Sequence, residues 1–152
     1  LIAGPLLEDW DRLDRWPLLA EKHMLVVNTG HSFSGRNAVE LSDLKQTRLL
    51  FRPYCEQADR LSDLLRSHDI DSGSCHQVSS DSDMLSLLQA GAGVGFLPQS
   101  LPLPGELRRL HVSDAELGRT IHLYAVAGRP RPATAGALMS LLRTADWSRH
   151  LH

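Results

Sequence analysis

The sequence has few of the residues that mark specialised classes of protein. It contains only two cysteines in 152 residues, too few for a disulfide framework, and Cys55 and Cys75 lack the spacing of a metal-binding pair. It has no apolar run near the roughly 20 residues that cross a bilayer, and its first residues lack the pattern of a secretion signal. We therefore expect reduced thiols, a cytoplasmic location and no membrane contact.

Neither sign of charge is in large excess. The 16 lysines and arginines stand against 18 aspartates and glutamates, for a formal net charge of -2. A domain that grips DNA through its phosphates needs a basic surface. We expect this chain alone not to bind DNA.

Signatures of catalysis are also missing. No serine lies in a nucleophile elbow, and the eight histidines are scattered without the paired spacing of a zinc site, apart from His150 and His152 at the terminus. The sequence therefore nominates no catalytic residue, no metal ligand and no cofactor, and it favours a protein that is not an enzyme.

The most informative stretch is residues 79–98, which predicts a helix followed by a strand. Ser79 to Ser82 offer capping side chains for free helix amides, and Gly91 suits a helix end. Val94 to Leu97 indicates a buried strand that Pro98 ends. The apolar stripe of the helix consists of Met84, Leu87 and Leu88.

The glycines of this stretch, Gly91, Gly93 and Gly95, invite a comparison with a dinucleotide-binding loop. Such a loop lies after a strand and before the helix whose amino end holds the pyrophosphate. Here the helix precedes the glycines and a strand follows them. The order therefore argues against cofactor binding at these residues.

The rest of the chain predicts an α/β domain. From residue 48 to residue 97 the order is strand, helix, strand, helix, strand, which implies a parallel sheet with helices on its faces. Outside it we predict a loop or short helical turn over residues 5–17 and a closing helix starting at 132–134, with Leu138, Leu141, Leu142 and Ala145 on one stripe. The individual predictions are strands at 1–4, 22–27, 48–52, 75–79, 94–97, 107–112 and 120–127, and helices at 41–46 and from Ala58 past Leu65.

These segments resemble the effector domain of LysR-type transcriptional regulators. The resemblance rests first on Ser80-Asp81-x-Asp83-Met84-Leu85-x-Leu87-Leu88-x-Ala90-Gly91-x-Gly93-Val94-x-Phe96-Leu97-Pro98. Residues 25–36 resemble the family's strand and its His-Pro-Leu-Ala turn, although no proline follows His31, and residues 39–44 resemble its next short helix. The similarity extends from about Ile2 to Leu142.

The resemblance implies a type II periplasmic-binding-protein-like fold, with one complete lobe and part of a second. Residues 1–27 would be the end of the first subdomain and a crossing strand, residues 28–123 the second subdomain, and residues 124–152 the other crossing strand and a helix returning to the first. It also implies that the winged helix-turn-helix precedes this chain. DNA would then be bound only through that missing domain, and the full-length protein would be a homodimer or homotetramer.

Two loops leave parallel strands on one edge of the predicted sheet, at residues 51–55 and 78–81. Ligands of open α/β sheets bind at the carboxyl ends of strands, beside helix amino ends. The resemblance implies that this edge faces the cleft in which small effectors bind. The predicted effector-binding residues are Asn28, Phe51, Arg52, Tyr54, Ser79, Ser80 and Phe96. The alternative is that the serines only cap a helix, Asn28 only forms a turn and Arg52 is solvated.

Cys55 is a possible redox residue. It follows a strand, near a helix amino end and Arg52, a setting that lowers the pKa of a thiol. Peroxide-sensing members of the family have a reactive cysteine in the corresponding loop, but they pair it with a second cysteine in the following helix. This chain has Leu61, Leu64 and Leu65 there, so a buried, unreactive thiol is the alternative.

We therefore interpret the chain as the small-molecule effector-sensing domain of a LysR-type regulator. The alternative is a solute-binding protein, or a fragment of an enzyme, with a similar two-lobed α/β fold. The identity and charge of the effector stay open.

Overall fold

Strand β2 (Leu13–Asn28) is the longest element and connects two sheets. The structure is a computed structural model that describes residues 2–4 and 11–151. The other strands in these ranges are β1 (Ile2–Ala3), β3 (Ala38–Val39), β4 (Leu49–Phe51), β5 (His76–Gln77), β6 (Val94–Pro98), β7 (Leu107–Val112) and β8 (Gly118–Val126). The α-helices are α1 (Ala58–Ser67), α2 (Asp81–Gln89) and α3 (Ala133–Thr144), and 3-10 turns span Leu41–Gln46, Ser72–Ser74 and Ser148–His150.

The central sheet has the order β2-β6-β4-β5. β4 is parallel to β5 and to β6, whereas the second half of β2 is antiparallel to β6 and β7. The predicted parallel sheet over residues 48–97 is confirmed. Only the strand at 75–79 is much shorter than predicted, at two residues.

Helices α1 and α2 cover opposite faces of this sheet. Leu61 and Leu65 of α1 share one hydrophobic core with Leu25. Met84 of α2 belongs to a second core with Val26. Because consecutive strand residues point to opposite faces, the apolar run of β2 supplies both cores.

The glycines after α2 have structural roles at a helix end and between two strands. Gly91 has a φ of +67°, the left-handed conformation that ends a helix. A side chain on Gly93 would place its Cβ 2.4 Å from the carbonyl oxygen of Arg48, so only glycine lets the two strands approach this closely. The argument against a dinucleotide loop is consistent with this geometry.

The first half of β2 corrects the prediction for residues 5–17. Residues 5–10 lie outside the described ranges, but Leu13 to Pro17 form strand, paired with β8, and not a loop. Pro17 is accommodated because the register shifts between Pro17 and Leu19. Residues 13–20 are each exposed or half-buried, without strict alternation. The sequence of this half therefore shows no clean period.

Helix α3 has the predicted position, and part of its predicted apolar stripe is exposed. Leu138 is 57% exposed and Leu141 is 67% exposed, and none of the residues of α3 is buried against the described part of the chain. It contacts β2 through Arg143, whose guanidinium lies 5.2 Å from the ring centre of Trp16. Among the described residues, no helix is long and apolar enough to cross a membrane.

Candidate functional site

The carboxyl ends of β4, β5 and β6 meet at one edge of the central sheet, as the parallel topology requires. Arg52 follows β4 directly, and α2 begins at this edge with Ser80 as its N-cap. The Ser80 hydroxyl accepts a hydrogen bond from the Asp83 amide at 3.1 Å. The edge is therefore built from one strand end and one helix start.

Arg52 is the centre of a hydrogen-bond network at this edge. Its side chain is only 8% exposed, and its guanidinium donates to Asp81 Oδ1 at 2.9 Å and to the Phe96 carbonyl at 3.0 Å. A buried guanidinium needs such partners, because an unpaired buried charge is strongly destabilising. Arg52 is thus held by the protein itself and is not a solvated side chain.

Asp81 also accepts a hydrogen bond from the Tyr54 hydroxyl at 2.8 Å. Partial burial acts to raise the pKa of Asp81, but the hydrogen bonds from Tyr54 and Arg52 outweigh it and lower that pKa below its usual value. The Asp81 side chain is 55% exposed and Tyr54 is 49% exposed. Both can therefore contact a ligand at the surface.

A second charged network lies beside the first. Glu21 is buried and accepts from Arg119 Nε at 2.7 Å and from the Ser100 amide at 2.8 Å. Arg119 also donates to Glu56 Oε1 at 2.7 Å. This network joins β2 and β8 to the start of the segment that leads into α1.

His23 and Cys55 lie between the two networks. His23 is opposite Pro98 in the β2–β6 register, which puts it at the carboxyl edge, and its Nε2 is 4.0 Å from Cys55 Sγ. Burial lowers the pKa of His23 to about 4, helped by the positive charges of Arg119 and Arg52, so the ring is neutral at pH 7.

The pKa of Cys55 corrects an expectation. The sequence suggested a lowered value because of Arg52 and the nearby helix. Burial instead raises the pKa of the thiol, and this effect outweighs the Arg52 charge. The thiol is therefore mostly protonated at pH 7 and a weak nucleophile.

The enclosed space at this edge is small. A cavity lined by His23, Arg52, Cys55, Gln57 and Phe96, among others, leaves about 20 Å³ for the centre of a water-sized sphere. That is room for little more than one water molecule. The cavity is therefore too small for a metabolite, whereas Tyr54 and Asp81 are exposed at the surface of this edge.

The other predicted site residues differ in their placement. Phe51 and Phe96 are 6% and 5% exposed, so their rings belong to the core beneath the edge. Ser79 is exposed, and its hydroxyl donates to Asp83 Oδ2 at 3.1 Å. It lines an open groove between β5 and α2 with Asp83 and Ser86.

Asn28 does not lie at the carboxyl edge with the other predicted site residues. β2 runs antiparallel to β6, so its end lies at the amino edge of the central sheet, where Asn28 is opposite Leu107. Its amide donates to the carbonyl of Gln89, at the far end of α2, at 2.8 Å, and its oxygen accepts from the Gly30 amide. The prediction that Asn28 shares a concavity with Ser80 is therefore wrong.

Sequence reasoning missed the polar residues that β2 and β8 bring to this edge, Glu21, His23 and Arg119. The first two alternate along β2, and both are buried. Two polar residues at a spacing of two, directly before the apolar run 24–27, were the available signal. The sequence around Arg119 gave no such signal, because its partners Glu21 and Glu56 are distant in sequence.

Comparison with known proteins agrees with this architecture. The sequence matches the family described as LysR substrate binding domain over residues 1–147. The regulatory domain of CcmR from Synechocystis, solved in complex with 2-PG, aligns with a TM-score of 0.76 at 17% identity, over 93% of this chain and 70% of that one.

Two further solved structures are similar. A cysteine mutant of OxyR from Corynebacterium glutamicum aligns with a TM-score of 0.68 at 26% identity, over 93% of this chain but only 46% of that one. The effector binding domain of QuiR in complex with shikimate aligns with a TM-score of 0.71 at 15% identity, over 93% of this chain and 68% of that one. A search of curated protein sequences found no match.

Proposed function

Because the chain belongs to the LysR substrate binding domain family, we propose that it senses a small-molecule effector for a DNA-binding transcriptional regulator. The observation that carries the proposal is the edge at which Arg52, Asp81 and Tyr54 are joined beside the start of α2. This edge combines exposed polar groups with a buried charge that fixes their positions. Such preorganised polar groups at the carboxyl ends of parallel strands suit ligand recognition.

In this proposal the effector contacts the exposed side chains of Tyr54 and Ser79 and the half-buried Ser80. Arg52, Phe51 and Phe96 lie beneath them and hold the edge in place. Asp81 exposes a carboxylate that prefers hydrogen-bond donors, so hydroxyl or amine groups on the effector would pair with it. An acidic effector would have to displace Asp81 from Arg52, which makes Arg52 a less favourable direct contact.

Effector binding would act through a change in the arrangement of two subdomains. The proposed division is residues 1–27, 28–123 and 124–152, with β2 and β8 crossing between the subdomains. The pairing of β2 supports its role as a crossing strand, since residues 13–22 pair with β8, whereas residues 23–28 pair with β6 and β7. A ligand that prefers one arrangement shifts the population toward it and so transmits a signal.

The remaining parts of the proposal concern the intact protein. It would bind DNA through a separate winged helix-turn-helix, form a homodimer or homotetramer, work in the cytoplasm and catalyse no reaction. The net charge of -2 supports DNA binding by a different region. A redox role for Cys55 has less support, because its thiol is half-buried and burial raises its pKa.

The test is a metabolite screen on the intact protein by thermal shift, followed by DNA binding with and without each hit. 2-PG and shikimate belong in the screen because CcmR and QuiR were solved in complex with them. The proposal expects a compound that raises the melting temperature and changes DNA affinity. Sequence-specific DNA binding by this chain alone would contradict it.

A further inference from the structure

Three side chains with metal-binding atoms converge near the middle of β2, at the carboxyl edge of the central sheet. They are His23 on β2 and the adjacent residues Cys55 and Glu56, which precede α1. One ligand atom from each lies within 4.8 Å of the other two. Cys55 Sγ is 4.0 Å from His23 Nε2 and 3.5 Å from Glu56 Oε2.

These separations are close to those of a tetrahedral zinc site. Zinc binds sulfur at about 2.3 Å and imidazole nitrogen or carboxylate oxygen at about 2.1 Å, so its tetrahedral ligands lie about 3.6 Å apart. The sulfur–oxygen separation already has this value, and the sulfur–nitrogen separation exceeds it by a few tenths of an ångström. The third separation, between the ligand atoms of His23 and Glu56, is within 4.8 Å, so binding would require the His23 side chain to move toward Glu56.

His23 is buried with its Nε2 toward Cys55. The residue is only 6% exposed, and Nε2 is the ring atom that lies 4.0 Å from Cys55 Sγ. An ion between these two atoms would therefore be bound through Nε2, while Nδ1, which has no hydrogen-bond partner among the described residues, would stay without one. His23 and Cys55 both line the small cavity at the carboxyl edge.

The neighbouring arginines hold two of the proposed ligands in place. Arg119 holds Glu56 through Oε1, which leaves Oε2 directed toward Cys55. Such hydrogen bonds to a ligating carboxylate orient it and tune the metal. Arg52 Nη2 lies 3.6 Å from Cys55 Sγ and could donate to a thiolate there. With a neutral imidazole, a thiolate and a carboxylate, the ligands carry two negative charges, which a divalent ion neutralises.

We propose that His23, Cys55 and Glu56 form a binding site for a thiophilic divalent transition-metal ion, and that Zn²⁺ is the ion that this donor set favours. Nitrogen, sulfur and oxygen together are typical zinc ligands, whereas magnesium and calcium select oxygen alone. On binding, the sulfur–hydrogen bond of Cys55 breaks, its proton goes to solvent, and a sulfur–metal bond forms. A water molecule completes the fourth position. The ion would tie β2 to the segment before α1.

The experiment titrates the intact, metal-stripped protein with Co²⁺ and then displaces the cobalt with Zn²⁺. Cobalt reports on the ligands, because a thiolate ligand gives a charge-transfer band in the near ultraviolet and tetrahedral coordination gives strong visible bands. The proposal expects one equivalent of Co²⁺ with both features and their loss when one equivalent of Zn²⁺ is added. This readout requires no effector, so its failure would not bear on effector sensing.

Matched variants assign the ligands. Cys55→Ser should abolish the charge-transfer band, whereas Cys75→Ser, which changes the other half-buried cysteine, should retain it. His23→Gln and Glu56→Gln should each weaken Zn²⁺ affinity at least tenfold, while His76→Gln, on an exposed residue, should not. Circular dichroism of each variant confirms that it is folded. The proposal is overturned if the protein shows no thiolate band, or if the band survives in folded Cys55→Ser.

Discussion

Arg52 donates a hydrogen bond to Asp81 Oδ1 at 2.9 Å and so joins the end of β4 to the first residue of α2. The two partners differ in exposure, since Arg52 is 8% exposed and the Asp81 side chain is 55% exposed. The exposed carboxylate of Asp81 therefore neutralises the charge of the buried Arg52 guanidinium. It also makes the position of Asp81 depend on the strand beneath it.

Replacement of Asp81 by asparagine should destabilise the protein. The change keeps the shape of the side chain but removes the charge that pairs with Arg52 and that favours the amino end of α2. We expect a loss of about 1 to 3 kcal/mol in the free energy of unfolding, measured by urea denaturation. The control is Asp63→Asn, which breaks the exposed pair with Arg66 and should cost less than about 0.5 kcal/mol. Equal losses would show that the burial of Arg52 does not matter.

The same pair should make stability depend on pH in acid. The folded-state pKa of Asp81 is lowered, so its contribution is present above the ordinary value of 3.8 and is lost as the pH falls through the folded-state value. The difference in unfolding free energy between the wild type and Asp81→Asn should therefore stay constant from about pH 7 to pH 5 and shrink below about pH 4. Denaturation series at these pH values measure it. A difference that grows toward acid would contradict the assignment.

A methyl group at Gly93 should disrupt the contact between β4 and β6. Its Cβ would lie 2.4 Å from the Arg48 carbonyl oxygen, a backbone atom that cannot turn away. We expect Gly93→Ala to lower the melting temperature strongly or to prevent folding. Gly136→Ala is the control, because that Cβ would meet nothing within 4 Å on helix α3, and it should be neutral or stabilise by up to about 1 kcal/mol. A mild effect at Gly93 would mean that the strands are less closely packed.

Asn28→Ala should reduce stability without weakening effector binding. Its amide satisfies the carbonyl of Gln89 at the carboxyl end of α2, so its loss should cost about 1 kcal/mol. The site proposed for the effector lies at the other end of the helix. Calorimetric titration with an effector from the metabolite screen should give an unchanged affinity. A tenfold loss of affinity would place the effector near the amino edge instead.

The parallel sheet could be predicted from the sequence because its signals are local. Residues 80–98 carry a cap, an apolar stripe, a helix stop and a buried strand in order, and each is visible in a short window. The first half of β2 could not, because it pairs with β8 only through distant residues and is half-exposed on both faces. The apolar residues of this half therefore show no regular spacing in the sequence.

The candidate site shows the same division between local and distant information. Ser80 could be predicted as a helix cap at a strand end from its neighbours alone, and its hydroxyl does cap α2. Asn28 was misplaced because its edge depends on the direction of β2 in the sheet. The cluster of His23, Cys55 and Glu56 was invisible, since His23 is 32 residues from Cys55 and only the fold brings them together.

The most direct measurement of the proposed effector site is the affinity of the intact protein for its effector, compared between Ser80→Ala and Ser82→Ala. Both serines lie at the start of α2, but only Ser80 is its N-cap at the carboxyl edge. We expect Ser80→Ala to lose about 1 kcal/mol of stability and roughly tenfold in affinity, about the value of one hydrogen bond, while Ser82→Ala binds as the wild type does. Equal affinities in all three proteins would contradict an effector site at this edge.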